Sequence, residues 1–204
     1  MSAPGPVQRL GVFGGAFDPP HNAHVALAQA AVAQLRLDAL RIFPTGQAWH
    51  KSQALSPAAD RLAMARLAFG GLERVIVDER EVLRDGPTYT IDTLLELKRE
   101  FPHSQLLLIL GADQAGALTR WHRWPEILQN AIISIAGRPE IAGPAATLPE
   151  EVRAAGRLQP LQLPPMAISA TDIRQRAANS QGIAHLVPAG VARYIDQHHL
   201  YTAT

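Results

Sequence analysis

Residues 105–110 read Gln-Leu-Leu-Leu-Ile-Leu, one glutamine followed by five consecutive large aliphatic side chains. A strand of that kind is apolar on both faces and needs cover on both. A parallel sheet lying between two helical layers supplies such cover, so this run argues for a central strand of an α/β fold. The rest of the chain fits. Strand-like segments at 7–13, 39–44, 74–77, 131–136 and 158–163 alternate with helix-like segments at 23–35, 58–69, 89 or 90–100, 171–177 and 189–198. Alternation of this type implies parallel strands joined by crossover helices. The predicted fold is an open, doubly wound, Rossmann-like α/β sheet, mainly parallel, with helices on both faces.

A chain of 204 residues suits one domain with a full core, here expected to span 1–204 with 1–6 as a flexible tail. The segment 137–156 is rich in Pro, Gly and Ala and reads as a loop or insertion. Cysteine is absent, which excludes disulfides, thiolate metal sites and a cysteine nucleophile. The formal net charge of +1 gives no pull toward nucleic acid or a membrane surface. No apolar run approaches a membrane span, and the first residues lack a signal-peptide core. A soluble cytoplasmic protein, monomer or homo-oligomer, is expected.

Sheets of this type bind ligands beyond the carboxyl ends of their strands. The unusual residues gather at those ends. After strand one comes Gly14-Gly15-Ala16-Phe17-Asp18-Pro19-Pro20-His21-Asn22-Ala23-His24, which turns and opens an Ala-rich helix. Glycines let a polyanion approach the backbone, and a helix N-terminus adds free N–H groups and a positive dipole end. His21 and His24 are three apart and share one face of that first turn. The turn is a plausible phosphate cradle. Two plainer readings stand beside it: surface histidines near a helix cap, and a metal site that includes Asp18. It is neither a Walker A loop nor a dinucleotide glycine fingerprint.

Further constellations lie along the chain. Ser169-Ala170-Thr171-Asp172-Ile173-Arg174 begins a helix with a capping-box pattern, and Arg174 adds a guanidinium beside the free amides, making a second anion site. Trp49-His50-Lys51 follows strand two. Gly111-Ala112-Asp113 follows the Leu-rich strand, where Asp113 serves either as a ribose ligand or as a helix N-cap. Thr90 stands at a helix start whose amides suit a carboxylate. In Trp121-His122-Arg123-Trp124, Trp121 suits stacking on a flat ring, while Trp124 reads as a core anchor.

Taken together these residues resemble the bacterial nicotinate mononucleotide adenylyltransferases of the nucleotidyltransferase superfamily, and the likeness runs from Gly11 to Tyr201. The superfamily signatures are residues 14–24 and 168–174. The narrower ones are Trp49-His50-Lys51, the run 86–94, Gly111-Ala112-Asp113, Trp121-His122-Arg123-Trp124 and the run 186–201 ending His198-His199-Leu200-Tyr201. Ala16 stands where Thr or Ser is common, Ala23 where Gly is usual, and Gln114-Ala115 where a Ser-Phe-like pair is frequent.

The resemblance implies transfer of AMP from ATP to nicotinate mononucleotide, giving nicotinate adenine dinucleotide and pyrophosphate, with Mg2+ carried on the ATP phosphates and no metal site of the protein's own. It implies catalytic roles for His21, His24 and Arg174. ATP would be bound by Gly14, Gly15, Phe17, His21, His24, Gly111, Ser169 and Arg174. The acceptor would be bound by Ala16, His50, Lys51, Thr90, Asp113, Trp121 and His122. The histidines are expected to be protonated donors at modest cost, since their ordinary pKa lies near neutrality. Rival readings are a sister enzyme using nicotinamide mononucleotide, phosphopantetheine or FMN as acceptor, and a non-catalytic nucleotide sensor on the same fold.

Overall fold

The computed structural model describes residues 7–47, 55–137, 150–154 and 157–202. Among them are six strands: β1 (Arg9–Gly15), β2 (Ala39–Pro44), β3 (Val75–Val77), β4 (Gln105–Leu110), β5 (Ile132–Gly137) and β6 (Leu158–Gln162). They form one sheet in the order β3-β2-β1-β4-β5-β6. This is a doubly wound order, reversing between β1 and β4. The recorded pairings β1–β4, β4–β5 and β5–β6 are parallel, with Arg9 opposite Gln105, Leu107 opposite Ile132 and Ile133 opposite Leu158.

β4 is buried at all five positions after Gln105, as a strand covered on both faces must be. The long helices are α1 (Asn22–Gln34), α2 (Ala58–Phe69), α4 (Thr90–Glu100), α8 (Ala170–Ala178) and α9 (Ala189–Gln197). Short ones are α3 (Arg80–Leu83), α5 (Ala112–Gly116), α6 (Trp124–Asn130) and α7 (Glu150–Ala154), with a 3-10 turn at Leu118–Arg120. Of these short elements the sequence signalled only α5, through the N-cap reading of Asp113. α7 falls inside the stretch read as loop, and its Val152 is fully buried, so one apolar anchor makes a helix within a segment of loop-like composition. The expected flexible tail at 1–6 and residues 138–149 and 155–156 of that loop lie outside the described residues.

The chain packs as two compact units. One takes the described residues of Met1–Phe13, Ala30–Arg41 and Tyr89–Pro165, with a core of Leu10, Leu40, Leu94, Leu97, Leu107, Ile109, Ile127 and Ile133. The other takes those of Gly14–Gln29, Ile42–Thr88 and Met166–Thr204, with Phe17, Phe43, Met64, Phe69, Ile173 and Val191 inside. Among the described residues no helix is long and apolar enough to cross a membrane.

Candidate active site

The second unit carries the Gly-Gly turn. Gly14 is exposed, and among the described residues a Cβ built on it would meet nothing nearer than Phe43 O at 4.0 Å. Packing therefore does not require glycine there, while the bare backbone leaves space above it for a ligand. Gly15 is different, since its Cβ would come within 3.1–3.3 Å of the Phe17 ring. Phe17 sits at a left-handed φ of 48° with its ring buried, edge-on to His24 at 5.2 Å and to Phe69 at 5.4 Å.

His21 occupies the position just before α1, and its carbonyl accepts from the N–H groups of His24 and Val25. The rings of His21 and His24 stack with centroids 3.7 Å apart and planes 20° apart. The backbone N–H of His21 donates to His24 Nδ1 at 3.2 Å. That bond holds Nδ1 as an acceptor, so in neutral His24 the proton lies on Nε2, which is a donor. His21 is 6% exposed, and among the described residues its Nδ1 has no hydrogen-bond partner. Burial pulls its pKa down to about 4. The expectation of a protonated His21 near neutrality is corrected here. Desolvation disfavours its charge, and the ring is neutral at pH 7 in the unliganded protein.

Asp18, three residues before His21, is 4% exposed. Its Oδ1 accepts from the Tyr201 hydroxyl at 2.6 Å and its Oδ2 from the Ser56 N–H at 3.0 Å. Both carboxylate oxygens are thus engaged by donors of the protein. The Asp18 carbonyl accepts from Arg174 Nη1 at 2.7 Å, so the guanidinium expected at the second anion site is bonded to the loop that leads to His21.

α8 begins at Ser169, whose hydroxyl accepts from the Asp172 N–H at 3.1 Å. Only this half of the expected capping box is seen. The Asp172 carboxylate turns instead to Arg176, one helical turn on, at 2.9 Å. The N–H groups of Ala170 and Thr171 precede the intrahelical ladder and remain outside it by helix geometry.

Sequence reasoning missed Arg61. It is 2% exposed, and its guanidinium donates to the carbonyls of Ser56, Ala16, Thr45 and Gly46. Burial lowers its pKa, while the nearby Asp18 raises it. A signal existed: Arg61 stands three, four, seven and eight residues before Met64, Ala65, Ala68 and Phe69, on the buried stripe of α2. A cation on an apolar stripe calls for a partner.

The first unit holds the other candidates. Thr90 opens α4, whose N-cap residue Tyr89 makes no side-chain cap. The Tyr89 and His122 rings lie 4.2 Å apart. Arg123, at a φ of 53°, precedes α6, makes two bonds to the Glu126 carboxylate at 2.7 and 2.6 Å, and lies 3.7 Å from Asp92 of α4. The start of α4 and the Trp121-His122-Arg123 run are thus brought together, with Trp121 half-buried and His122 exposed. Trp124 is only half-buried, short of the core anchor expected. Gly111 is the N-cap of α5, so Asp113, exposed in the first turn, is not a cap. His50 and Lys51 lie outside the described residues.

Residues 12–176 match the cytidylyltransferase-like family. A relative from Albidiferax ferrireducens named "Probable nicotinate-nucleotide adenylyltransferase" is 54% identical over 195 residues, covering 96% of this chain and 98% of the relative. One of the same name from Methylibium petroleiphilum is 41% identical, over 96% and 93%. Among solved structures, Plasmodium falciparum nicotinic acid mononucleotide adenylyltransferase complexed with NaAD matches with a TM-score of 0.75 at 17% identity, over 95% of this chain and 97% of that one. The same protein complexed with APC matches with a TM-score of 0.74 at 16% identity and the same coverage. These two likenesses are of fold.

Proposed function

The chain belongs to the cytidylyltransferase-like family and, within it, to the nicotinate-nucleotide adenylyltransferases, and from that premise we propose how its own residues carry out the transfer. It is an enzyme of NAD biosynthesis that moves AMP from ATP to nicotinate mononucleotide. A phosphate oxygen of the mononucleotide bonds to the α-phosphorus of ATP, the bond from that phosphorus to the bridging oxygen breaks, and pyrophosphate leaves. Mg2+ arrives on the ATP phosphates as part of the substrate. We place the reaction in the cytoplasm, where these nucleotides are found.

The acceptor phosphate is already ionised at neutral pH, so no general base is needed. Catalysis is in-line positioning together with neutralisation of charge on the leaving pyrophosphate. The observation that carries the reading is the joining of His21, His24 and Arg174 through one short loop: two stacked imidazoles at a helix start, and a guanidinium bonded to Asp18 just before them. Gly14 and Gly15 admit the phosphates to the backbone. Neutral His24 donates through Nε2. The unpartnered Nδ1 of His21 is a buried polar atom of the kind a ligand satisfies. Arg174 supplies fixed positive charge, and Ser169 with the α8 amides adds donors. Phe17 backs the histidines.

Thr90 and the α4 amides receive the nicotinate carboxylate, with the backbone near His122, while Trp121 stacks on the pyridine. Ala16 and Lys51, with His50, attend the acceptor phosphate; Asp113 and Gly111 attend ribose and nucleotide. A pyrophosphate-release assay with ATP and each candidate acceptor tests the whole reading.

A further inference from the structure

Three groups from distant parts of the chain converge on one residue of the phosphate-binding loop, and a fourth holds the loop two residues earlier. The Asp18 carboxylate takes the Tyr201 hydroxyl and the Ser56 amide, its carbonyl takes Arg174, and Arg61 holds the neighbouring Ala16 carbonyl. Tyr201 lies 183 residues from Asp18 and makes the shortest of the bonds to it, at 2.6 Å. It follows α9 by four residues and adopts a left-handed φ of 66°, with Leu200 N–H bonded back to Ile195 O. The chain therefore turns sharply after α9 in a way that aims this hydroxyl inward. Immediately before Asp18 is Phe17, whose ring contacts His24; three residues after it is His21. A rotation of Asp18 moves the backbone on both sides, and with it the histidine pair and the carbonyl that receives Arg174.

We propose that Tyr201 is a positioning residue of the adenylyl-transfer site: its hydroxyl fixes the Asp18 carboxylate and thereby the loop that sets His21, His24 and Arg174 for the ATP phosphates. The proposal rests on the adenylyltransferase reading. Tyr201 acts through its bond to Asp18. Burial raises the pKa of its hydroxyl, as does the bond to Asp18, so the phenol stays protonated and the donor is constant across the working pH range.

The fold contains a matched control. Tyr194 in α9 donates its hydroxyl to Asp60 Oδ1 at 2.9 Å, the same hydroxyl-to-carboxylate bond, made to a residue of α2 rather than to Asp18. The test compares Tyr201→Phe with Tyr194→Phe in the full chain. Each is read by kcat and KM for ATP and for nicotinate mononucleotide, and by the imidazole NMR signals of His21 and His24. Tyr201→Phe is expected to lower kcat/KM for ATP by about tenfold, the scale of one misplaced transition-state contact, with KM for the mononucleotide unchanged and the two imidazole signals shifted. Tyr194→Phe leaves all of these within about twofold.

Asp18→Asn serves as a second variant. Its amide replaces the charge-assisted bonds of the carboxylate with neutral ones and turns one oxygen position from acceptor into donor, so the same loss on the ATP side is expected even if Tyr201→Phe proves too unstable to assay. A Tyr201→Phe enzyme within about twofold of wild type, equal effects from the two tyrosines, or an Asp18→Asn enzyme with wild-type ATP kinetics would each overturn the proposal. A wild-type protein that releases no pyrophosphate would instead overturn the functional reading, and the imidazole signals would still report on the Tyr201 bond.

Discussion

His24 Nδ1 accepts the backbone N–H of His21 at 3.2 Å, so the first residue of the histidine pair fixes the tautomer of the second. The stacked rings act as one unit, with His24 offering Nε2–H. His24→Ala removes that donor and should lower kcat by about 10²–10³, with the folded state retained. Circular dichroism and steady-state kinetics check this. Activity within about threefold of wild type would rule out the donor role.

His21 makes stability depend on pH. Its folded pKa of about 4 lies below the ordinary 6.5, so between those values the unfolded chain binds the extra proton. Its contribution is complete above about pH 6.5, falls as the pH drops toward 4, and is lost below that. The span corresponds to a few kcal/mol at most, on the order of 3 by the usual linkage arithmetic. Urea denaturation from pH 7 to pH 4 should show this decline, and His21→Gln should remove that share of it. An unchanged slope in the variant would show that other groups cause it.

Arg61 is a structural cation held by four carbonyls. Arg61→Ala leaves those acceptors buried and unmatched, and should cost about 3–5 kcal/mol in denaturant unfolding. A loss under about 1 kcal/mol would mean that water replaces the guanidinium.

Ser134, in the middle of β5, is fully buried, and among the described residues its hydroxyl has no partner. Ser134→Ala should therefore stabilise the protein, by about 1 kcal/mol after allowing for a small cavity. A clear drop in midpoint would mean that the hydroxyl has found a bond to water.

Trp121→Ala should raise KM for the mononucleotide while sparing KM for ATP, if the half-buried ring stacks on the pyridine. Equal losses for both substrates would assign Trp121 to packing alone.

How far the sequence carried these conclusions follows from the kind of signal each residue left. β2, β4 and α2 have the bounds expected, because long apolar or periodic runs state their own limits. Strands β1 and β5 are shifted by one or two residues, since their ends depend on ladder partners supplied by the fold. The short helices α3, α6 and α7 were illegible, and α5 was signalled only by Asp113 as a candidate cap: at four to seven residues they lack periodicity and exist through packing. At the site, glycines, histidines and the Ser169 cap announce themselves by type and spacing. The neutrality of His21 does not, because desolvation is set by what covers the ring. The Tyr201–Asp18 bond, between residues 183 apart, leaves no local trace at all.

The central claim is adenylyl transfer from ATP to nicotinate mononucleotide. It is tested most directly by following pyrophosphate release with ATP·Mg2+ and, separately, nicotinate mononucleotide, nicotinamide mononucleotide, phosphopantetheine and FMN. Release is expected with nicotinate mononucleotide, matched mole for mole by nicotinate adenine dinucleotide, at a kcat/KM well above that of any other acceptor. Absence of release with all four, or a clear preference for any acceptor other than nicotinate mononucleotide, would contradict it.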